Sequence, residues 1–172
     1  MIYVVEMDFR NPAREHDWHV WYLEHTTHLV RTIPGFTGTQ RFRCLNSLKS
    51  PWLAMHEVAG PQVFESKEYK AGGGPTSTGD WAKEHTDWHR NVFDGVRETP
   101  DIHFDQHLLM AEGDAALPKS YEPKAIRLAC VGLDRSSPRR SIVVVPAGGL
   151  TASMFAMPGV RIFKPITPKI RK

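Results

Sequence analysis

Two patterns of apolar residues divide the first 110 positions into predicted helices and strands. Over 12–32 and 80–95, aromatic and apolar side chains recur every three or four residues, which is the period of one face of an α-helix. Shorter β-rich runs, several of them alternating in polarity, predict strands instead. The predicted strands are 2–7, 36–45, 52–59 and 102–110.

The order strand, helix, strand, strand, helix, strand predicts an α+β fold, a ferredoxin-like βαββαβ module over residues 1–110. A turn is predicted over 46–51, and the glycine-rich stretch 71–79 is typical of a loop over a pocket. Because the helices of such a module cover one sheet face only, we expect a second copy to bury the other face. The predicted assembly is a homodimer that forms a dimeric α+β barrel.

Residues 111–172 do not fit that module, and their apolar runs predict a C-terminal β-rich extension. Pro158-Gly159 precedes the last predicted strand as Pro34-Gly35 precedes 36–45. This likeness favours a degenerate partial repeat of the first half, although Pro-Gly is also a generic turn.

The composition narrows the function classes. The net charge is +3 and the pI is about 9.0, but Lys and Arg are spread along the chain. A nucleic-acid-binding face normally concentrates them, so we expect no nucleic-acid partner. No apolar run approaches membrane-spanning length, so we expect a cytoplasmic protein without a membrane partner. Cys44 and Cys130 lack CxxC spacing and are expected to be reduced core thiols.

Histidine and tryptophan share one face in both predicted helices, and this pattern predicts two walls of one polar pocket. Imidazole suits proton transfer near neutral pH, and indole suits stacking on a planar organic substrate. The candidate catalytic residues are His25, His85 and His28. The candidate substrate-binding residues are Trp21, Tyr22, Arg41, Trp81, Trp88, His89, His103 and His107.

Other interpretations of these residues stay open. His85 and His89 have a spacing that can share one metal ion, but the HExxH order is absent. His103, Asp105 and His107 alternate along a predicted strand. They could orient a general base or complete a metal site, or they could make an edge strand polar against aggregation.

Six segments of the chain resemble a known family. They are Trp21-Tyr22, Glu24-His25, Ile33-Pro34-Gly35-Phe36, Arg41-Phe42-Arg43, Leu53-Ala54-Met55-His56-Glu57-Val58 and Ser66-Lys67-Glu68-Tyr69. Together they are similar to the dimeric α+β barrel superfamily, in particular its EthD-like small members. The resemblance implies a ferredoxin-like subunit paired with a second copy and a cavity histidine near the end of the first helix, matched here by His25 or His28. Such proteins include cofactor-independent monooxygenases, isomerases, dehydratases, decarboxylases and haem enzymes.

The function predicted on these grounds is a cofactor-independent lyase, dehydratase or isomerase acting on a small aromatic or polyketide-like compound. His25 would be the base, His85 its partner and Arg41 an anion clamp. No cofactor or metal is expected. The alternatives are a metal- or haem-dependent oxidoreductase of the monooxygenase type and a non-enzymatic, small-ligand-binding or stress-associated protein.

Overall fold

The computed structural model describes residues 1–47 and 49–172, apart from the side chain of Thr76. Leu48, in the turn predicted over 46–51, lies outside the described residues. The strands are β1 Ile2–Phe9, β2 Phe36–Cys44, β3 Trp52–Val58, β4 His85–Asp94, β5 Gln106–Glu112, β6 Ile126–Leu133, β7 Arg139–Pro146, β8 Val160–Pro165 and β9 Ile170–Arg171. The helices are α1 Glu15–Thr32, α2 Lys67–Gly72 and α3 Ala152–Phe155, and short 3₁₀ segments include Pro61–Glu65 and Pro75–Lys83.

The first eight strands close into one antiparallel β-barrel. Their order is β3-β1-β4-β6-β7-β5-β8-β2, and β2 pairs back with β3 to complete the circle. β9 adds to β2 beyond the end of β8. Strands from both halves of the chain are therefore needed to close the barrel, which leaves no open sheet face.

Strand alternation sorts the side chains between the barrel interior and its outer surface. The interior holds an apolar cluster that includes Ile2, Val4, Phe42, Leu53, Met55, Phe93, Leu108, Met110, Ile142 and Phe163. The neighbouring positions of β1, which are Tyr3, Val5, Met7 and Phe9, point outward and pack under α1. A second outer cluster on β5, β7 and β8 packs under α3 and the connecting segments.

Helix α1 lies on the barrel because its apolar stripe matches this outer face. Trp18, Tyr22, Leu29 and Val30 are buried along it, while the opposite face is exposed. The chain then turns at Gly35, whose φ of 91° lies in the left-handed region that favours glycine.

Buried ion pairs lie inside both ends of the barrel. At one end, the Glu6 carboxylate accepts hydrogen bonds from Arg140 and Arg161. At the other end, Lys169 Nζ lies 2.5 Å from Glu57 Oε1, and both side chains are buried. These partners come from opposite halves of the sequence, so the charges help to hold the barrel closed.

The predicted ferredoxin-like α+β fold is wrong: the structure is a closed eight-stranded β-barrel. The decisive segment is 80–95, for which the sequence pattern predicts a helix and which instead gives the end of a 3₁₀ segment and strand β4. β4 is hydrogen-bonded to both β1 and β6. These strand pairings stabilise the segment more than a helix would, because its Thr, Asp, Asn and Val residues are modest helix formers. Of the strand predicted over 102–110, only residues 106–110 are strand, and they belong to β5, which pairs with β7 and β8.

The closed barrel also corrects the assignment to the dimeric α+β barrel superfamily and its EthD-like members. That assignment expects an open sheet paired with a second copy, whereas the sheet face in question is filled by the chain's own interior cluster. The described part of the chain has no exposed sheet face of the kind from which the homodimer was predicted. The homodimer stays a prediction, which a mass measurement by light scattering can test. Among the described residues, no helix is long and apolar enough to cross a membrane.

Candidate functional site

A small cavity lies between α1 and the outer face of the barrel. Its floor is formed by β1, β3 and β4, and residues 73–75 and Thr78 form a wall over it. The polar and aromatic lining residues are Tyr3, Tyr22, His25, His56, Tyr69, Thr78, His85, Trp88 and Arg90. Three imidazoles and three phenols therefore share one enclosed space.

A β-bulge in β4 turns two of these side chains toward the cavity. Glu6 pairs with His89 and Asp8 with Thr86, so the two residues between them on β4 oppose the single residue Met7. Asp87 takes up the extra length at φ 45°. In a regular strand, positions three apart point to opposite faces, but the bulge places both His85 and Trp88 on the cavity side.

A hydrogen bond from α1 holds the His85 ring. Trp18 Nε1 lies 2.9 Å from His85 Nε2, and the indole nitrogen can only donate. Nε2 is therefore the acceptor, and the neutral ring carries its proton on Nδ1. That Nδ1 atom is buried and has no hydrogen-bond partner among the described residues.

His25 and His56 occupy other parts of the lining. The His25 ring stacks on Trp21, with centroids 5.1 Å apart, and no hydrogen bond to its ring nitrogens is formed within the described residues. The His56 ring stacks on Tyr3 at 5.2 Å, and its buried Nδ1 has no hydrogen-bond partner among residues 1–47 and 49–172. Both rings thus keep nitrogens that a ligand could use.

Burial keeps these imidazoles neutral at physiological pH. It is the main cause that lowers the pKa of His25 and of His85 to about 4, and that of His56 to about 3. Burial also raises the pKa of Tyr22 to about 12 and moves the pKa of Tyr3 well above its usual value. At neutral pH the cavity therefore offers unprotonated imidazoles and intact phenols.

Arg90 lines the cavity, and its guanidinium is also paired with a carboxylate, because Nη2 lies 3.7 Å from Asp134 Oδ1. Its guanidinium lies 5.6 Å from the Trp88 ring centroid, and its attraction for phenolate opposes the rise in the pKa of Tyr3 and Tyr69. The Tyr3 and Tyr69 hydroxyls lie 3.3 Å apart and can hydrogen-bond to each other. The surroundings favour a neutral ligand that gains negative charge, because the Arg90 guanidinium can stabilise that charge.

The cavity is tightly filled in this structure. Its volume is about 20 Å³, which is room for roughly one water molecule. Gly73 is packed so closely that a Cβ there would lie 2.6 Å from Ile33 Cδ1 and 2.8 Å from Leu29 Cδ2. A larger ligand needs the wall over the cavity to move outward.

The structure brings together four of the residues predicted for the site. His25, His85, Tyr22 and Trp88 line the cavity. Three other predicted residues, Arg41, Trp21 and Trp81, lie close behind this lining or at its rim.

Arg41, predicted as an anion clamp, lies behind the cavity. Its guanidinium contacts the Tyr22 ring at 4.2 Å and His19, and it does not line the cavity. Trp21 supports His25, and Trp81 lies at the rim, 5.9 Å from Trp21.

The remaining predicted residues lie elsewhere. His28 is exposed on α1, where its Nε2 lies 3.1 Å from Thr32 Oγ1. His89 points into the barrel interior and lines a separate cavity beside Glu6. His103 is exposed before β5, and His107 lies on β5 opposite Val145.

Four lining residues are not among those that the sequence patterns select: Tyr3, His56, Tyr69 and Arg90. A signal exists for Tyr3, because Tyr3, Val5, Met7 and Phe9 alternate and so mark one strand face. Arg90 has no such signal, because the pattern over 80–95 predicts a helix.

A metal site was one alternative for these histidines. Within residues 1–47 and 49–172, no group of three or more His, Cys, Asp or Glu residues is placed to hold a metal ion. The histidines at the cavity are instead surrounded by phenols, indoles and Arg90.

Comparisons with known proteins give a likeness of fold. No family model and no curated protein matches the sequence. A solved structure described as an anthrone oxidase-like protein aligns with a TM-score of 0.52 and 9% sequence identity, covering 99% of this chain and 92% of that one. At this identity the likeness concerns the fold alone. It gives no evidence for a lyase or an isomerase, so that predicted reaction class is corrected, because one fold can carry many different reactions.

Proposed function

We propose that this protein is an enzyme that removes a proton from an activated carbon of a planar aromatic ketone, with His25 as the base. The observation that carries the proposal is the set of neutral imidazoles lining one enclosed aromatic cavity. A general base must be unprotonated at the working pH, and burial provides this for His25. The same burial lowers the pKa to about 4 and so makes His25 a weaker base than an ordinary imidazole.

The aromatic surroundings favour a flat substrate. Tyr22 and Trp88 line the cavity, and Trp21 extends the aromatic surface behind His25. Aromatic rings pack against one another in stacked or edge-on contacts, which gives a flat polycyclic compound large contact area. Arg90 adds a positive charge that stabilises the anion left after proton removal.

The structural neighbour described as anthrone oxidase-like suggests how the reaction continues. In an anthrone-type substrate, a CH₂ group between two aromatic rings loses a proton to His25, and its electron pair moves toward the ketone oxygen. Molecular oxygen then oxidises this carbanion. Overall, one O₂ converts CH₂ to C=O and releases one water, so that atoms and electrons balance.

Binding of such a substrate requires the cavity to open. The 20 Å³ of free space cannot hold a three-ring compound. The wall over the cavity carries Gly73 and Gly74 at one end and Gly79, with φ 54°, further on. We propose that this wall swings outward on binding and then closes to exclude water from the base.

The direct test is anthrone oxidation in air-saturated buffer, followed by anthraquinone absorbance and O₂ uptake. The wild type should accelerate both above the spontaneous rate with one O₂ used per anthraquinone. His25→Ala should lower kcat by about 100-fold or more, the usual range for loss of a general base. No acceleration by the wild type, or full activity in a folded His25→Ala variant, would overturn the proposal.

Two further histidine variants on α1 sharpen the test. His16→Ala changes an exposed histidine at the start of the same helix and should keep wild-type activity. His28→Ala tests the other histidine that the family resemblance matched to the cavity, and its exposed position predicts less than a twofold effect. Exchange of the CH₂ hydrogens for deuterium in D₂O under argon then measures proton removal alone, because no O₂ is present to oxidise the carbanion.

A further inference from the structure

Two buried hydrogen-bond donors beside the cavity have no partner in the part of the chain that the structure describes. His85 Nδ1 and Trp88 Nε1 are both out of contact with solvent, and neither is bonded to any group in the described residues. Their rings are close neighbours, with centroids 5.6 Å apart and planes at 67°. Buried donors are almost always satisfied, so two unsatisfied ones in one cavity lining need an explanation.

Both atoms are donors for a definite reason. The indole nitrogen of Trp88 always carries its hydrogen. The Nδ1 of His85 carries the ring hydrogen because Trp18 Nε1 donates to the other ring nitrogen, Nε2. If Nε2 were protonated, two N–H groups would face each other at 2.9 Å, so this contact opposes that form.

We propose that His85 Nδ1–H and Trp88 Nε1–H together bind one oxygen of the bound substrate, and that Trp18 is the positioning residue that fixes His85 as a donor. This inference rests on the proposed function for the identity of the oxygen, which is the ketone oxygen that gains charge when the carbon loses its proton. Donors fixed in advance at such an oxygen stabilise the developing anion. His85 is thus a hydrogen-bond donor to the substrate, and the role of base falls to His25.

The bulge in β4 is what makes this pair possible. If β4 were a regular strand through these residues, the side chains of positions 85 and 88 would point to opposite faces of the sheet. The bulge carbonyl is itself held, because Ser50 Oγ donates to Asp87 O at 2.8 Å. The barrel therefore holds both residues on the cavity side before any ligand binds.

The first experiment measures the tautomer of His85 by ¹⁵N NMR of labelled protein without ligand. The wild type should show a proton on Nδ1 and a bare Nε2. Trp18→Phe removes the indole donor, so the spectrum should shift toward the Nε2–H form. A wild-type His85 that carries its proton on Nε2 would overturn the role of Trp18 and of the donor pair.

The second experiment measures binding of anthraquinone-2-sulfonate, whose two quinone carbonyl oxygens can only accept hydrogen bonds. Trp88→Phe should weaken binding about fivefold, the loss expected for one hydrogen bond. Trp52→Phe makes the same chemical change on the same outer face, outside the cavity lining, and should bind as the wild type does. Binding by Trp88→Phe within twofold of the wild type would refute the pair.

These results separate the two proposals. Suppose that the protein has the Nδ1–H tautomer and a Trp88-dependent affinity for the quinone but does not oxidise anthrone. The donor pair is then supported and the proposed reaction is refuted. If anthrone oxidation depends on His25 but Trp88→Phe does not change the affinity for the quinone, the reaction is supported and the donor pair is refuted. Trp18 is fully buried, so its variant is first checked for a wild-type fold by circular dichroism.

Discussion

Replacing His56 by Gln should reduce the sensitivity of the fold to acid. His56 is 1% exposed, and its pKa is lowered to about 3 by burial, with smaller contributions from His25 and Arg41. In the unfolded chain an ordinary histidine titrates near 6.5. Between these two values the unfolded state binds a proton that the native state does not, so the free energy of unfolding falls as the pH falls.

The size of the effect comes from the two pKa values. For one such imidazole, lowering the pH from 7 to 5 removes about 2 kcal/mol of stability. His56→Gln keeps a polar side chain of similar size without this titration. The variant should therefore lose about 2 kcal/mol less than the wild type between pH 7 and pH 5, whatever its stability at pH 7.

Urea unfolding at the two pH values, followed by tryptophan fluorescence, measures this difference. His16→Gln is the matched control, because His16 is exposed in the folded protein and its removal should leave the wild-type acid loss unchanged. Equal losses in wild type and His56→Gln would refute the reasoning, because His56 would then titrate alike in the folded and unfolded chains.

Two substitutions test how the barrel is closed. Glu6→Gln removes the carboxylate that Arg140 and Arg161 share and leaves Arg140 with Glu112 alone, so urea unfolding should show a loss of about 3 kcal/mol; a loss below 1 kcal/mol would contradict this account. Gly95→Ala puts a Cβ against the Arg127 carbonyl oxygen at φ 122°, and thermal unfolding should show a loss of about 1–3 kcal/mol. Gly113→Ala, with φ 57° and open space, carries only the backbone strain and should lose less.

The sequence alone located much of the first half of the fold. Helix α1 lies at 15–32 where the pattern predicts 12–32, because its aromatic stripe has a clear helical period. The hairpin of β2 and β3 also lies where alternation places it, and Pro34-Gly35 ends the helix as expected. For the site, the pairing of histidine with tryptophan predicted a shared pocket, and His25, His85, Tyr22 and Trp88 line one cavity.

Tertiary structure decided the rest. Segment 85–94 has a sequence compatible with a helix, and only the ladders with β1 and β6 make it a strand. Barrel closure depends in the same way on strands far apart in the chain, such as β2 with β8. Local periodicity cannot report such pairings, because their hydrogen bonds join residues distant in sequence.

The protonation states and hydrogen-bond directions at the site also depend on the tertiary structure. The lowered pKa of His56 comes from its burial in the folded chain, and the donor role of His85 comes from a hydrogen bond from Trp18, 67 positions earlier. The bulge at Asp87 sets which side chains face the cavity. Sequence determines which groups are present, but protonation and direction depend on burial and on partners that only the folded chain supplies.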